Sequence, residues 1–454
     1  MKLSEKNILI GSMLLSVFVL LLTHLVVTND GVFLDREPYF HAKAASLIIE
    51  NDFQYSKEIT AHGREYDLEP FHYVLAGSAM LTGLENASNS IPILTGIFTI
   101  LLFSLLLRDF VTKDLRITGT CLLAISPVFI YNHTIAQGYG IAVPLSLAAF
   151  YFLKQNNLSK YIGVLLAVIT GFFEPILAII CIIPLVLYYQ QNKFASVKIL
   201  IAAITATIIS LIIRSYIFPF KSISIGNNFL VDNINIFGAL VGFSFFTIIL
   251  AFTGLIHTWN NKRQYIPLYA LILLIIASAT IFPGLKIILN LIFSFLGAKG
   301  FVTLLNMKWE LKIIRTLSTI IVIVGMIFST GLYMNNLQQS SPSGDLITSL
   351  NFLQANSLDD EIVLSHWKNQ YWIEYYAQRK AFSTDNLTIF KTRDEKKALE
   401  ILTANNISYI LVDLPTRNLM KTERNNLGLE FVMENSDRFK KMITYNQTVV
   451  WAII

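Results

Sequence analysis

Runs of about twenty consecutive apolar residues recur along this chain and constrain it more than any other feature. A helix needs roughly 20 mainly apolar residues to cross hydrocarbon, where no water satisfies an open backbone group. Such runs lie near residues 8–27, 90–107, 117–132, 139–153, 161–173, 174–189, 199–218, 237–257, 266–283, 285–305 and 316–334. They predict a polytopic α-helical membrane protein of about eleven spans. Composition agrees, because only 14% of residues are charged against about 25% in an average soluble domain. The net charge of +5 is accounted for by cytoplasmic loops and gives no nucleic-acid surface. Cys121 and Cys181 both sit in apolar runs, which leaves no disulfide framework or Cys/His metal cluster. The first run follows Lys2 and Lys6 but lacks a small-residue cleavage site and exceeds a signal-peptide core, so an uncleaved span is expected.

Charge placement orients the spans, since Lys and Arg concentrate in short cytoplasmic loops. With the N-terminus inside, the inner loops carry Arg108, Lys113 and Arg116, then Lys154 and Lys160, then Lys193 and Lys198. Lys262 and Arg263 follow, and then Lys308, Lys312 and Arg315. Outer connections are poor in basic residues apart from Lys221 and Lys286. The expectation is an integral cell-membrane protein with a cytoplasmic N-terminus and an extracytoplasmic C-terminal region.

The expected division is a membrane domain over 1–334, including a first outer loop at 28–89, and a soluble extracytoplasmic α/β domain over 335–454. The outer loop is acidic and long enough to be functional. Within it, helices are predicted over Pro38–Ile49, where the proline suits the first turn, and over Pro70–Leu84, which fits the membrane interface. Beyond Asn335 a Ser-Ser-Pro-Ser-Gly stretch gives way to alternating elements. Helices are predicted at 345–355, 371–378 and 394–404, strands at 361–365 and 407–412, and a hairpin at 442–454 around Asn446-Gln447.

The densest chemistry lies at Asp35-Arg36-Glu37-Pro38-Tyr39-Phe40-His41, just outside the first span. A carboxylate there can accept a proton from an acceptor hydroxyl or amide, or hold a divalent cation through oxygen. The competing reading is a solvated membrane exit with a helix-capping Asp. Lys286, beside Pro283-Gly284, and Arg214 stand at the outer ends of spans, where each either meets a lipid phosphate or snorkels to water. Glu174, in Gly171-Phe172-Phe173-Glu174-Pro175, reads as an outer turn residue, and His133 as interfacial. Trp367, Tyr371, Trp372, Tyr375 and Tyr376 form an aromatic cluster, for which packing is favoured over sugar stacking. Six Asn-x-Ser/Thr triplets, at Asn86, Asn132, Asn157, Asn386, Asn406 and Asn446, allow modification but do not demand it.

The order of these parts resembles the C-type glycosyltransferase (GT-C) superfamily, and in layout its oligosaccharyltransferase catalytic subunit most. Asp35 to His41 resembles that family's first acidic motif, and Glu69-Pro70-Phe71-His72-Tyr73 the start of its second outer-loop helix. Ala136 to Leu145 falls where the second outer loop enters the next span. Ser365-His366-Trp367-Lys368-Asn369-Gln370-Tyr371-Trp372-Ile373, with Arg379 and Ser383-Thr384-Asp385-Asn386, resembles the segment carrying the WWDYG signature.

The resemblance implies transfer of a sugar or glycan from a polyprenyl-phosphate carrier to a protein, lipid or glycan acceptor at the outer membrane face. It implies Asp35 and Glu37 as catalytic carboxylates, Lys286 and Arg214 as donor-phosphate partners, and His41, Trp367 and Tyr371 on the acceptor side or in a structural role. It leaves room for a divalent cation, Mg or Mn, with Asp35 its one evident ligand. The sequence departs from the family where the second acidic motif reads Gly138-Tyr139-Gly140 and the WWDYG signature reads His366-Trp367-Lys368-Asn369-Gln370. In the 219–236 loop only Ser222-Ile223-Ser224-Ile225 and Asp232 stand near a family glutamate. Such erosion favours a single sugar moved from a lipid monophosphate. The alternatives are a non-catalytic relative that binds lipid-linked sugars, and a lipid or sugar transporter, although no internal repeat supports the last.

Overall fold

A computed structural model of the chain describes residues 5–27, 32–53, 58–61, 64–155, 158–180, 197–218, 233–234, 239, 241–259, 262–279, 282–383, 387–421 and 428–454. The chain divides into two compact units. One comprises Met1–Val27 with Glu69–Leu337, the other Thr28–Leu68 with Gln338–Ile454. The first outer loop groups with the C-terminal unit up to Leu68 instead of with the membrane helices.

The first unit is helical. Glu5–Val27, Leu84–Leu107, Lys286–Asn306 and Lys312–Ser340 supply the four helices long and apolar enough to cross a membrane among the described residues. Lys113–Ala124 and Pro127–Thr134, bent by 59° at the break between them, make a fifth if the pair is counted as one span. The expected 117–132 span is thus broken at Ser126-Pro127, since proline removes a helix hydrogen bond and clashes with the preceding turn. Shorter apolar helices occupy Gly138–Leu153, Ser159–Phe173, Val197–Ile217, Phe245–Trp259 and Lys262–Ala279. These match expected spans in position, although most are shorter than a full bilayer crossing. Of the expected 174–189 span only residues up to 180 are described, and Cys181, Lys221, Ser222–Ile225 and Asp232 lie outside the described residues.

Several polar side chains inside these helices bond to their own backbone, as an apolar surrounding favours. Ser12 donates to the Ile8 carbonyl at 2.8 Å, Thr23 to Val19 at 2.8 Å, and Thr207 to Ala203 at 2.8 Å. The tightest packing is that of Phe245–Trp259 on Lys286–Asn306. A Cβ added to Gly254 would stand 2.0 Å from the Leu296 carbonyl oxygen, and one on Gly300 would stand 2.0 Å from that of Leu250. Backbone touches backbone there, which is how small residues let helices associate where water provides no drive.

The second unit joins two distant chain segments. The Glu37–Glu50 helix carries Pro38 in its first turn and buries Tyr39, His41, Ala42, Ala44, Ala45, Leu47 and Ile48. Strands β1 (Glu58–Ala61) and β2 (Arg64–Asp67) pair antiparallel, a hairpin too short to be read from alternation. The C-terminal segment forms a mixed sheet from β3 (Ile362–Ser365), β4 (Lys380–Ser383), β5 (Ile407–Val412), β6 (Phe439–Tyr445) and β7 (Thr448–Ile453), in the order β4-β3-β5-β7-β6. Parallel pairing of β3 with β4 and β5 follows from the intervening helices, because parallel strands need a crossover. The β6–β7 hairpin turns at Asn446, whose φ of 45° suits asparagine in a tight hairpin turn. Lys440 and Lys441 sit on the edge strand β6 and keep it from pairing further. The core gathers Leu364, Phe390, Leu402, Ile410, Val412 and Trp451.

Arg379 serves this fold directly. Its guanidinium donates to the carbonyls of Gln354 at 3.1 Å and Ser357 at 2.6 Å, closing the open end of the Gly344–Asn356 helix. We expect Gly300→Ala to lower the thermal midpoint of the detergent-solubilised protein. Overpacking of about 1–3 kcal/mol should accompany it, whereas Gly331→Ala, which meets nothing within 4 Å, should leave the midpoint unchanged. Equal midpoints for the two variants would contradict the backbone contact.

Candidate active site

The acidic motif begins on a strained residue. Asp35 has φ of 61°, in the left-handed region that costs an L-residue roughly 1–2 kcal/mol and that Asp tolerates better than most. Its backbone N–H donates to the Ser341 hydroxyl at 3.3 Å, and its side chain is 4% exposed. Burial, then the negative charge of Glu37, raises its carboxyl to about 6. Hydrogen bonds from the Arg36 N–H and the Ser340 hydroxyl pull the other way. Glu37 opens the helix, where its charge faces the positive end of the helix dipole. Arg36 turns outward and lays its guanidinium 4.2 Å over the Trp367 ring. Trp367 is 39% exposed, so this cation–π pair has a solvent-facing side.

Behind Asp35 lies an aromatic layer. Tyr39 packs edge-on against Phe33 at 5.0 Å and Tyr375 at 5.2 Å, and its hydroxyl meets that of Tyr376 at 3.2 Å. Phe40 stacks on Tyr66 at 5.6 Å and touches Tyr371 at 5.2 Å and His41 at 5.3 Å. The Tyr66 hydroxyl donates to Glu374 at 2.8 Å. Glu374, 2% exposed, sits in the expected 371–378 helix, which is a short helical turn followed by a π turn over Ile373–Ala377.

The structure therefore brings together Asp35, Glu37, His41, Trp367 and Tyr371, five of the residues singled out by sequence. Packing, as favoured, accounts for Tyr371, Tyr375 and Tyr376. Trp367 alone is half exposed. Tyr66, Phe33 and Glu374 escaped the sequence reading, because each is an isolated side chain whose partner lies hundreds of residues away. Asn369, in the signature-like segment, donates to Ser365 at 2.8 Å and to Asp413 at 3.0 Å, so its amide hydrogens are committed to the fold. Of the Ser383–Asn386 stretch, 384–386 lie outside the described residues.

In the membrane unit a second polar cluster surrounds Tyr139. Its hydroxyl donates to Glu174, and Glu69 and Arg214 lie within electrostatic reach of it. A Cβ on Gly138 would stand 2.8 Å from a Glu174 oxygen and 3.9 Å from one of Glu69, so both carboxylates close on this turn and a side chain there would displace the Glu174 end. The ring rests against Gly284, where a Cβ would come within 2.2 Å. Two residues on, Lys286 is 7% exposed and donates to the Val241 carbonyl at 3.1 Å. Arg214 is 5% exposed, so neither cation snorkels to the surface. Glu174, expected as a turn residue, caps its helix and also bonds Tyr139. His133, expected at the interface, is fully buried against Phe129 at 4.7 Å.

Among the described residues no three His, Cys, Asp or Glu side chains converge as a metal site. Asp35 and Glu37 are the described carboxylates of the motif, and no step below is routed through a cation.

No family model and no curated protein sequence matches the chain. Its fold does match solved structures. The Archaeoglobus fulgidus oligosaccharyltransferase tethered to an acceptor peptide with an NVT sequon aligns with TM-score 0.62 at 12% identity, over 99% of this chain and 74% of that one. The same enzyme in complex with zinc and sulfate gives 0.61 at 13% identity, over 98% and 73%. ArnT from Cupriavidus metallidurans, bound to undecaprenyl phosphate, gives 0.56 at 9% identity, over 97% and 98%. The chain has the fold of these membrane glycosyltransferases, the GT-C fold, and is an integral membrane protein of that architecture.

The raised Asp35 carboxyl has a stability signature. Its folded-state value lies above the ordinary 3.8, so the protonated form is favoured on folding. That stability is fully present below pH 3.8 and is lost as pH rises through about 6. Asp35→Asn, permanently neutral, should exceed wild type in stability above pH 6 by up to about 3 kcal/mol. The two should converge near pH 4. Parallel stability–pH curves in thermal melts would refute the buried carboxyl.

Proposed function

We propose that this chain is a glycosyltransferase that moves a sugar from a polyprenyl-phosphate donor to an acceptor at the outer face of the membrane. The observation that carries the reading is the buried, strained Asp35, whose carboxyl is held near 6 in a fold shared with an enzyme bound to undecaprenyl phosphate. General bases work best when their pKa approaches the working pH, and an ordinary exposed aspartate is too weak.

Transfer makes two demands. The acceptor O–H or N–H must lose its proton as its heteroatom attacks the anomeric carbon. The bond from that carbon to the phosphate oxygen must break, with the electron pair leaving on the polyprenyl phosphate. Asp35 takes the proton. Glu37 tunes Asp35 through its charge. Arg214, beside Tyr139, and Lys286 supply fixed positive charge for a leaving phosphate. Trp367, with Arg36 on one side, offers an aromatic face to a sugar ring or acceptor. A C-terminal domain on the outer side and a cytoplasmic N-terminus belong to this reading and rest on the distribution of Lys and Arg.

In membranes supplied with a polyprenyl-phosphate-linked sugar, Asp35→Asn should reduce release of free polyprenyl phosphate by about 10²–10⁴-fold. Wild-type rate should rise with pH through about 6, as the base ionises. Glu37→Gln removes the neighbouring negative charge and should shift that limb to lower pH. Undiminished release by Asp35→Asn would leave a lipid-linked-sugar binder as the better account, and flux of unmodified substrate across proteoliposomes would favour a transporter.

A further inference from the structure

The membrane unit has a cavity that the proposed transfer does not use. It measures about 590 Å³ and is lined by His257, Tyr265, Lys299 and Asn306 together with Leu115, Val302 and Met307. Two threonines complete the lining, and among the described residues no carboxylate contributes to it. Lys286 begins the Lys286–Asn306 helix, and the cavity lies at the other end of that helix. At 1.5 Å per residue Lys299 lies about 20 Å and Asn306 about 30 Å along the helix from Lys286, against a bilayer core of about 30 Å.

The polar groups here are set to donate. Lys299 donates to the Tyr265 hydroxyl and stands 4.2 Å over the Tyr265 ring and 5.0 Å over that of Phe295. An ammonium has three hydrogens, and the tyrosine that accepts one of them keeps its own to give. Asn306 adds an amide and His257 an imidazole. The Thr258 and Thr303 hydroxyls, by contrast, donate into their own helices, to Leu255 at 2.7 Å and Lys299 at 2.8 Å. Lys113, Arg116, Lys262, Lys308, Lys312 and Arg315 flank the cavity in sequence against the two acids Asp114 and Glu310. The surroundings are also greasy, since Ile256, Trp259, Ile266 and Met307 are each more than half exposed. A partly apolar lining, exposed apolar neighbours and a tryptophan at the helix end mark a membrane interface more than an aqueous pocket.

We propose that this cavity binds the phosphate head group of an anionic lipid, in the leaflet opposite the one that Lys286 faces. Lys299 and Tyr265 hold the phosphate oxygens, and Leu115, Val302 and Met307 contact the start of the acyl chains. The proposal rests on the membrane reading of the chain but not on its catalytic one.

The test is native mass spectrometry of the full chain released from nanodiscs of phosphatidylcholine with or without phosphatidylglycerol, beside thermal melts with the same lipids. Wild type should retain phosphatidylglycerol in preference to phosphatidylcholine. Lys299→Gln should lower that retention at least fivefold and abolish the lipid-induced rise in Tm, and Lys299→Arg should restore both. Asp35→Asn should retain phosphatidylglycerol as wild type does, so a failed catalytic assignment leaves this result untouched. No preference for phosphatidylglycerol, or equal retention by Lys299→Gln, would overturn the site. Full stabilisation by inorganic phosphate alone, without lipid, would overturn the lipid as its occupant.

Discussion

A carboxyl group withdrawn from water at Asp35 is the constraint from which the second unit takes its form. An ionised carboxylate is costly to bury, and a left-handed aspartate adds backbone strain. Both are borne because the residues around it are fixed from far along the chain. Ser340 and Ser341 hydrogen-bond its carboxyl and its N–H, while Tyr375 and Tyr376 close against Phe33 and Tyr39. This explains why Thr28–Leu68 groups with the C-terminal sheet. The loop has no core of its own to hold such a geometry, and the sheet domain lends it one through an aromatic layer.

That layer also separates chemistry from architecture. Tyr66 is spent on Glu374, Tyr39 on Phe33 and Tyr376, and Asn369 on Ser365 and Asp413. The Asp35 carboxyl is held by the Arg36 N–H and the Ser340 hydroxyl, and near the motif Trp367 remains 39% exposed. In the membrane unit the same economy holds around Tyr139, where two carboxylates, a hydroxyl and an arginine balance one another in a low-dielectric surrounding. Gly138 and Gly284 are what let them approach.

Much of the fold was legible because its physics is local. Apolar runs located the helices of the membrane unit, β5 was read at its observed ends because a buried central strand is continuously apolar, and Asn446-Gln447 announced its hairpin. The break at Ser126-Pro127 was passed over although the proline was in view, since hydropathy alone does not register a bend. Grouping by sequence order failed for the outer loop, because burial of Phe33 and Tyr39 depends on residues more than three hundred positions later. At the site, Asp35 was recognisable from its neighbours. Glu174 was not, because its significance comes from a glycine and a tyrosine on another helix.

The low identities to the solved structures, 9–13%, fit this division between local and distant physics. A membrane bundle keeps its architecture wherever apolar length and small-residue contacts persist, and many sequences meet those conditions. The signature-like segment shows what such drift permits. His366 accepts from the Lys368 N–H at 3.0 Å, Asn369 is held by Asp413, and Ser365 donates to the Leu411 carbonyl at 3.0 Å. The hydrogen-bond donors of this segment are thus largely spent within the turn and on the sheet beside it. Trp367, 39% exposed, with the Arg36 guanidinium 4.2 Å over its ring, is the part of the segment that reaches solvent.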